Sequence, residues 1–381
     1  MKMLTGEYTG SSPVEKGIAL GVQLGEIISK VASGIGIFAN LSAIPVITGY
    51  DKQGRPMYGT PIDGTKSIGN FASAMQQLML QVINHGINQL KQQALLTVSP
   101  VLTQAFSAIL ADLPDDKSFA SLLLSLPSEA YIAEQQTQID VEGIVNALRG
   151  IRQVIARELY PVFLKTYQGL QPDLHQPFSA SKEAVGRRAL RSICLEYLVA
   201  SESADALALV EEQVRLATNM TDELAAFRLG VHSHSESLRC ELIEGFYQKW
   251  QHEPLVMDSW FAIQAINPSG QTLDAVQGLE QHALFEWTNP NRVRSLVGAF
   301  VGQNMAHFHR ISGDGYRYLA ERVVRLNGVN PQIAARMVVP LTHWRKFDEV
   351  RQVEMRKALE IILATPGLSP DVFELASKAF I

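Results

Sequence analysis

The sequence is short of several things that would assign it to common functional classes. It holds two cysteines in 381 residues, Cys194 and Cys240, which excludes a disulfide scaffold. Both lie inside apolar helical patterns and read as buried, reduced thiols, as in a cytoplasmic protein. Neither has the electropositive or turn setting of a catalytic thiolate. Charge of one sign is also scarce: 33 Lys and Arg stand against 38 Asp and Glu, a net of −5, with no long basic block. No nucleic-acid partner is expected from that balance. Residues 1–10 lack the basic start and apolar run of a secretory signal. No Walker-type phosphate loop, no GxGxxG after a strand and no GxSxG elbow is present.

The nine histidines do not form a zinc motif. A zinc hydrolase needs two histidines on successive helical turns with a general-base glutamate, hence HExxH. His252-Glu253 comes nearest, but Val256 stands where the second histidine is needed and Pro254 breaks the helix. His232/His234 and His307/His309 are two positions apart, so a helix would aim the members of each pair to different sides. They read as solvated or capping side chains. Glu211-Glu212 read as a solvated helix face, and Tyr316, Tyr318 and Phe347 as core or interface residues rather than a stacking platform.

The residues that are present divide unevenly. Thirteen of the 27 glycines fall in the first 92 residues. This predicts two units, a Gly-rich segment over 1–92 and a helical domain over 93–381. Residues 31–50 are uncharged and long enough to cross a bilayer. They also contain Gly34, Gly36, Asn40, Ser42, Pro45 and Gly49, and few leucines, which favours a buried Gly-rich segment over a membrane span. Residues 45–62 read as a β-hairpin turning around 52–54. Residues 67–91 keep a helical apolar period that Asn84-His85-Gly86 interrupts. No family resemblance is found in this first quarter.

From Gln92 onward the pattern is one helix after another, near 100–112, 116–125, 139–169, 180–201, 203–216, 219–230, 235–251, 255–266, 271–287, 314–327 and 349–364. Asp314 and Asp348 read as N-caps and Gly328 as a C-cap. The clearest start is NPNRVRSLVGAF over 289–300. Asn289 offers a capping oxygen, and Pro290 occupies the position where a missing N–H costs nothing. Val293, Leu296, Val297 and Phe300 form an apolar stripe, and Gly302 reads as the stop. The same opening returns at Asn330-Pro331 and at Ser369-Pro370, 41 and 39 residues on. A period of roughly 40 residues in a helical chain predicts a mainly α superhelix of stacked helix pairs, armadillo- or HEAT-like. Two arginines stand out. Arg294 lies off the stripe beside Gly298, and Arg336 holds the parallel position in the next capped helix. They are either surface arginines covering neighbouring helices with their stems or ligand-facing groups.

With those residues in view, the stretch from about 92 to 381 resembles the C-terminal helical domain of bacterial aminopeptidase N, in the M1 zinc metallopeptidase family. The stretches that carry the likeness are LRSICLEYL (190–198), NMTDELAA (219–226), LVMDSWFAIQA (255–265), NPNRVRSLVGAF, NPQIAARM (330–337) and FDEVRQVEMRKALE (347–360). The resemblance implies a domain that closes over a separate catalytic domain and encloses a peptide chamber. Zinc in that family is held by HExxH with a distal glutamate, and GxMEN binds the substrate's amino terminus. Neither motif occurs in these 381 residues, so no cofactor is expected in this chain and no hydrolysis from it alone. By motif position the resemblance turns Arg294 and Arg336 toward the peptide chamber. The implied partners are a peptide and the absent catalytic domain. The alternative is a helical solenoid reused as a peptide- or protein-binding module, with residues 1–92 supplying targeting or membrane association.

Overall fold

The computed structural model describes residues 46–50, 56–59, 64–172, 178–268 and 270–381, with side chains from Ala72 onward. Two short strands come first. β1 (Val46–Tyr50) pairs antiparallel with β2 (Pro56–Gly59), Val46 opposite Gly59 and Tyr50 opposite Pro56, with an irregularity between Ile47 and Gly49. This is the hairpin expected over 45–62; its turn at 52–54 and most of 31–50 lie outside the described residues. No helix among the described residues is long and apolar enough to cross a membrane.

Everything described after the hairpin is helix and connection. In chain order the helices are α1 (Gly64–Lys91), α2 (Pro100–Ala111), α3 (Lys117–Leu124), α4 (Glu129–Glu134), α5 (Val141–Glu158), α6 (Tyr160–Gly169), α7 (Lys182–Ala200), α8 (Ala204–Leu216), α9 (Met220–Val231) and α10 (Glu236–Trp250). There follow α11 (Pro254–Ala265), α12 (Thr272–Leu279), α13 (Pro290–Val293), a π turn (Arg294–Gly298), α14 (Ala299–Gln303), α15 (Met305–Phe308), α16 (Asp314–Asn327), α17 (Pro331–Thr342), a 3-10 turn (Trp344–Lys346), α18 (Glu349–Leu363) and α19 (Pro370–Lys378). The superhelix of paired helices is therefore as expected. Helices near in sequence pack in overlapping pairs along much of the stack, as α16 does on α17 and α18. One continuous apolar core runs from Met75 to Ala379.

The starts are fixed by local chemistry. Asn289 accepts hydrogen bonds from the N–H groups of Asn291 and Arg292, Asn330 from Ile333, Ser369 from Val372 and Asp348 from Arg351. A proline follows each of the first three caps, where no intrahelical acceptor is missed. Several expectations need correction. Asp314 is the first helical residue rather than the cap; Gly313, at φ 74°, precedes it and takes a left-handed conformation that glycine adopts freely. The chain from 139 to 169 is two helices, because Pro161 lacks the N–H that a continuous helix would use. The pattern over 271–287 ends as a helix at Leu279. Gly302 is passed, and the helix stops at Gln303, capped by Asn304. Cys240 is exposed, not buried.

The Asn84-His85-Gly86 interruption does not occur either; α1 is unbroken. Gly86 serves packing instead. A Cβ there would sit 2.8 Å from a Leu96 methyl, and one at Gly150 of α5 would sit 2.2 Å from the other. Leu96 is wedged where both glycines remove a side chain, and α1 lies along α5.

The stack also curls far enough to meet itself. Ile139 N–H donates to the Lys346 carbonyl at 2.7 Å, and α5 packs on α15. Buried Arg351 of α18 bonds Asp348 at 2.7 Å, the His309 carbonyl at 2.7 Å and Glu142 at the start of α5.

Candidate functional site

The segment 289–303 begins as an ordinary capped helix and then takes one π turn. The Ala299 N–H reaches back five residues to the Arg294 carbonyl instead of four. Val293, Leu296, Val297 and Phe300 are fully buried, so the predicted stripe faces the core across the π turn. Nothing in RSLVG signals this turn, because each of its residues is acceptable in an α-helix.

Arg292 and Arg294 part company here. Arg292 is buried; its Nη1 donates to Asp258 Oδ1 at 2.8 Å, and its guanidinium lies over the Phe261 ring at 5.0 Å. Ser295 Oγ donates to the Arg292 carbonyl at 3.0 Å. Arg294 is exposed and held only by its own helix. Its Nε donates to the Pro290 carbonyl at 3.2 Å and its Nη2 to Asn291 Oδ1 at 3.1 Å. Arg336 is likewise exposed, on α17, and makes no ion pair with a described residue. The two segments come near each other here: a Cβ on Gly298 would stand 3.3 Å from Met337 Cε. Gly298 is one turn from Arg294, and Met337 is next to Arg336. Sequence reasoning named both exposed arginines but missed Arg292, whose half-buried partner Asp258 is 34 positions away.

What this arrangement can do chemically is bind. A guanidinium stays charged at any working pH and offers a planar fork of donors to carboxylates. It transfers no proton. Three of the four histidines paired in the sequence have rings held by packing. Burial holds His232 down to about 4 while its Nε2 meets the Ile263 carbonyl at 2.8 Å. Burial holds His309 down to about 3; its Nδ1 meets the Tyr316 hydroxyl at 2.9 Å and its ring stacks on Phe347. Buried His307 meets the Pro268 carbonyl at 3.0 Å. His232 and His309 stand at the C-caps of α9 and α15, as the capping reading expects, and of the four only His234 is exposed, so the solvated reading does not extend to the other three rings. Burial pushes the Cys194 thiol up to about 12, the opposite of nucleophile activation. Among the described residues no group of three or more His, Cys, Asp or Glu could hold a metal ion. Tyr316, Tyr318 and Phe347 are buried in the core, as expected.

A family model described as "Domain of unknown function (DUF3458_C) ARM repeats" matches residues 71–380. Aminopeptidase N of Haemophilus influenzae is 38% identical over 308 residues, covering 80% of this chain and 34% of that protein. Aminopeptidase N of Escherichia coli is 36% identical over 308 residues, with 80% and 35% covered. A solved structure of Legionella pneumophila aminopeptidase A in complex with aspartic acid superposes with a TM-score of 0.74 at 28% identity, over 82% of this chain and 37% of that one. The chain spans about a third of the length of the curated relatives it matches. On the match over 71–380, and on the capped, stacked helices that fill it, this chain belongs to the armadillo-repeat family that forms the C-terminal helical domain of aminopeptidase N.

Proposed function

We propose that this chain supplies the helical wall of an aminopeptidase's peptide chamber, with Arg294 and Arg336 turned toward the peptide. The observation that carries this reading is the pair itself: two exposed arginines, without carboxylate partners among the described residues, on capped helices that come near each other at Gly298 and Met337. Their role is to attract and orient carboxylates on the peptide through charge-assisted, forked hydrogen bonds. Zinc, which the family uses, does not fit the residues described here, since no donor set for it exists among them. On this reading metal-assisted hydrolysis belongs to a separate catalytic domain, and the chain by itself is inactive. A cytoplasmic location accords with the small number of cysteines.

Two measurements test the proposal. The purified chain, given zinc and a chromogenic alanyl substrate, is expected to release no product; zinc-dependent turnover would overturn the reading. A fluorescent peptide with a free C-terminal carboxylate is expected to bind, and to weaken by about tenfold when Arg336 becomes alanine. Binding indifferent to both Arg294→Ala and Arg336→Ala would remove the arginines from the role assigned to them.

A further inference from the structure

A second cluster of arginines lies elsewhere, on α7. Arg187, Arg188 and Arg191 occupy one turn and line a concavity of about 350 Å³, together with Phe178, Asn219 and Asp222. Arg191 is 5% exposed. Its Nη2 donates to Gln171 Oε1 at 2.9 Å and to the Tyr167 hydroxyl at 3.3 Å. Its Nη1 stands 3.6 Å from Asp222 Oδ1, close enough for ion pairing and too far for a hydrogen bond. Arg191 Nε is left without an acceptor, and Asp222 Oδ1 without a donor. Nearer the rim, Arg187 reaches only the Gln171 carbonyl, at 3.4 Å, and Arg188 lies over the Phe178 ring at 4.9 Å. Neither makes an ion pair with a described residue.

Three guanidinium groups thus line one hollow with two carboxylates, Asp222 against Arg191 and Glu183 on the same helix, so positive charge is in excess there. A buried charge without full compensation is costly, and natural structures seldom keep one without a reason. Arginine forks left open in a concave polar site are the chemistry that recognises carboxylate and phosphate. The hollow is large enough for a small molecule and too small for a folded partner. We propose that it binds a small oxyanion, a phosphate or a carboxylate group, held by Arg187 and Arg188 at the rim and by the field of Arg191 behind them. This is independent of the peptide-facing role of Arg294 and Arg336, which lie on other helices.

The test is calorimetric titration of the full chain with inorganic phosphate and, separately, with succinate, with ionic strength held constant by sodium chloride. Saturable binding of one molecule of either is expected, and whichever binds identifies the headgroup chemistry. Arg188→Gln is expected to weaken it about tenfold, and the pair Arg187→Gln and Arg188→Gln to abolish it. Because both are rim residues, the ligand-free melting temperature should stay within about 2 °C. If the double variant melts early, Arg188→Lys, which keeps the charge and loses the fork, carries the same expectation of weaker binding. Heats that never saturate for both anions, or unchanged affinity in the folded variants, overturn the proposal.

Discussion

Arg292 and Arg294 stand two positions apart, and their surroundings set opposite expectations for the same substitution. Arg292→Ala would strand the Asp258 carboxylate in a half-buried position and strip the Phe261 ring of its cover. A loss of about 2–3 kcal/mol in urea unfolding is expected. Arg294→Ala removes only contacts to its own helix, and a change within about 0.5 kcal/mol is expected. At the same scale, His232 and His309 are neutral in the fold because burial disfavours the charged ring. Their folded values, about 4 and about 3, lie below the unfolded value near 6.5, so the unfolded chain binds more protons between those limits. Their contribution to stability is complete above pH 6.5 and is lost as pH falls toward 4, at up to about 1.4 kcal/mol per pH unit for each. Urea midpoints at pH 7 and pH 5 should differ accordingly, and the difference should shrink in His309→Phe. A midpoint independent of pH would show that neither ring is kept neutral.

Individual elements divide into those written locally and those decided by neighbours. The helix starts at Pro290, Pro331 and Pro370 were legible because cap, proline and stripe all lie within a dozen residues. The exposed positions of Arg294 and Arg336 were legible for the same reason, since both lie off a stripe. The π turn and the short α4 and α15 were not, because each depends on what the helix is packed against; the division at Pro161 is written locally, in the proline, and was overlooked. Asn84-His85-Gly86 misled in the same way. Its glycine answers to Leu96, ten positions on, rather than to a helix end. Gly315 is a sharper case. A Cβ there would stand 2.2 Å from the Phe308 carbonyl oxygen, a backbone atom that no rotamer change can move. Gly315→Ala should therefore cost about 2 kcal/mol or more despite alanine's better helix propensity, read as an earlier melt. A neutral or stabilising result would mean that α15 and α16 are less closely docked than described.

For the whole molecule, the contact between residues 139–142 and 346–351 matters most. Stacked helix pairs ordinarily touch only their neighbours, so their stability is a sum of local terms. Here Arg351, 3% exposed, ties α18 to the start of α5 across 209 positions of sequence. Arg351→Ala should cost about 3 kcal/mol and, beyond that, split one cooperative transition into two as the ends come apart. Calorimetry would see this as a broadened or double peak. A single sharp transition at lower temperature would indicate that the ends stay coupled through the α5–α15 packing alone.

That clasp also sets a limit on how such a domain can change over time. Open repeat arrays lengthen or shorten by whole units, because each added unit only shifts the far end outward. A chain whose residue 139 must arrive beside residue 346 has no such freedom. One extra helix pair anywhere between would carry Arg351 past Glu142, so the number of repeats is locked, and variation is confined to substitution within them and to the segments outside the loop that the clasp closes.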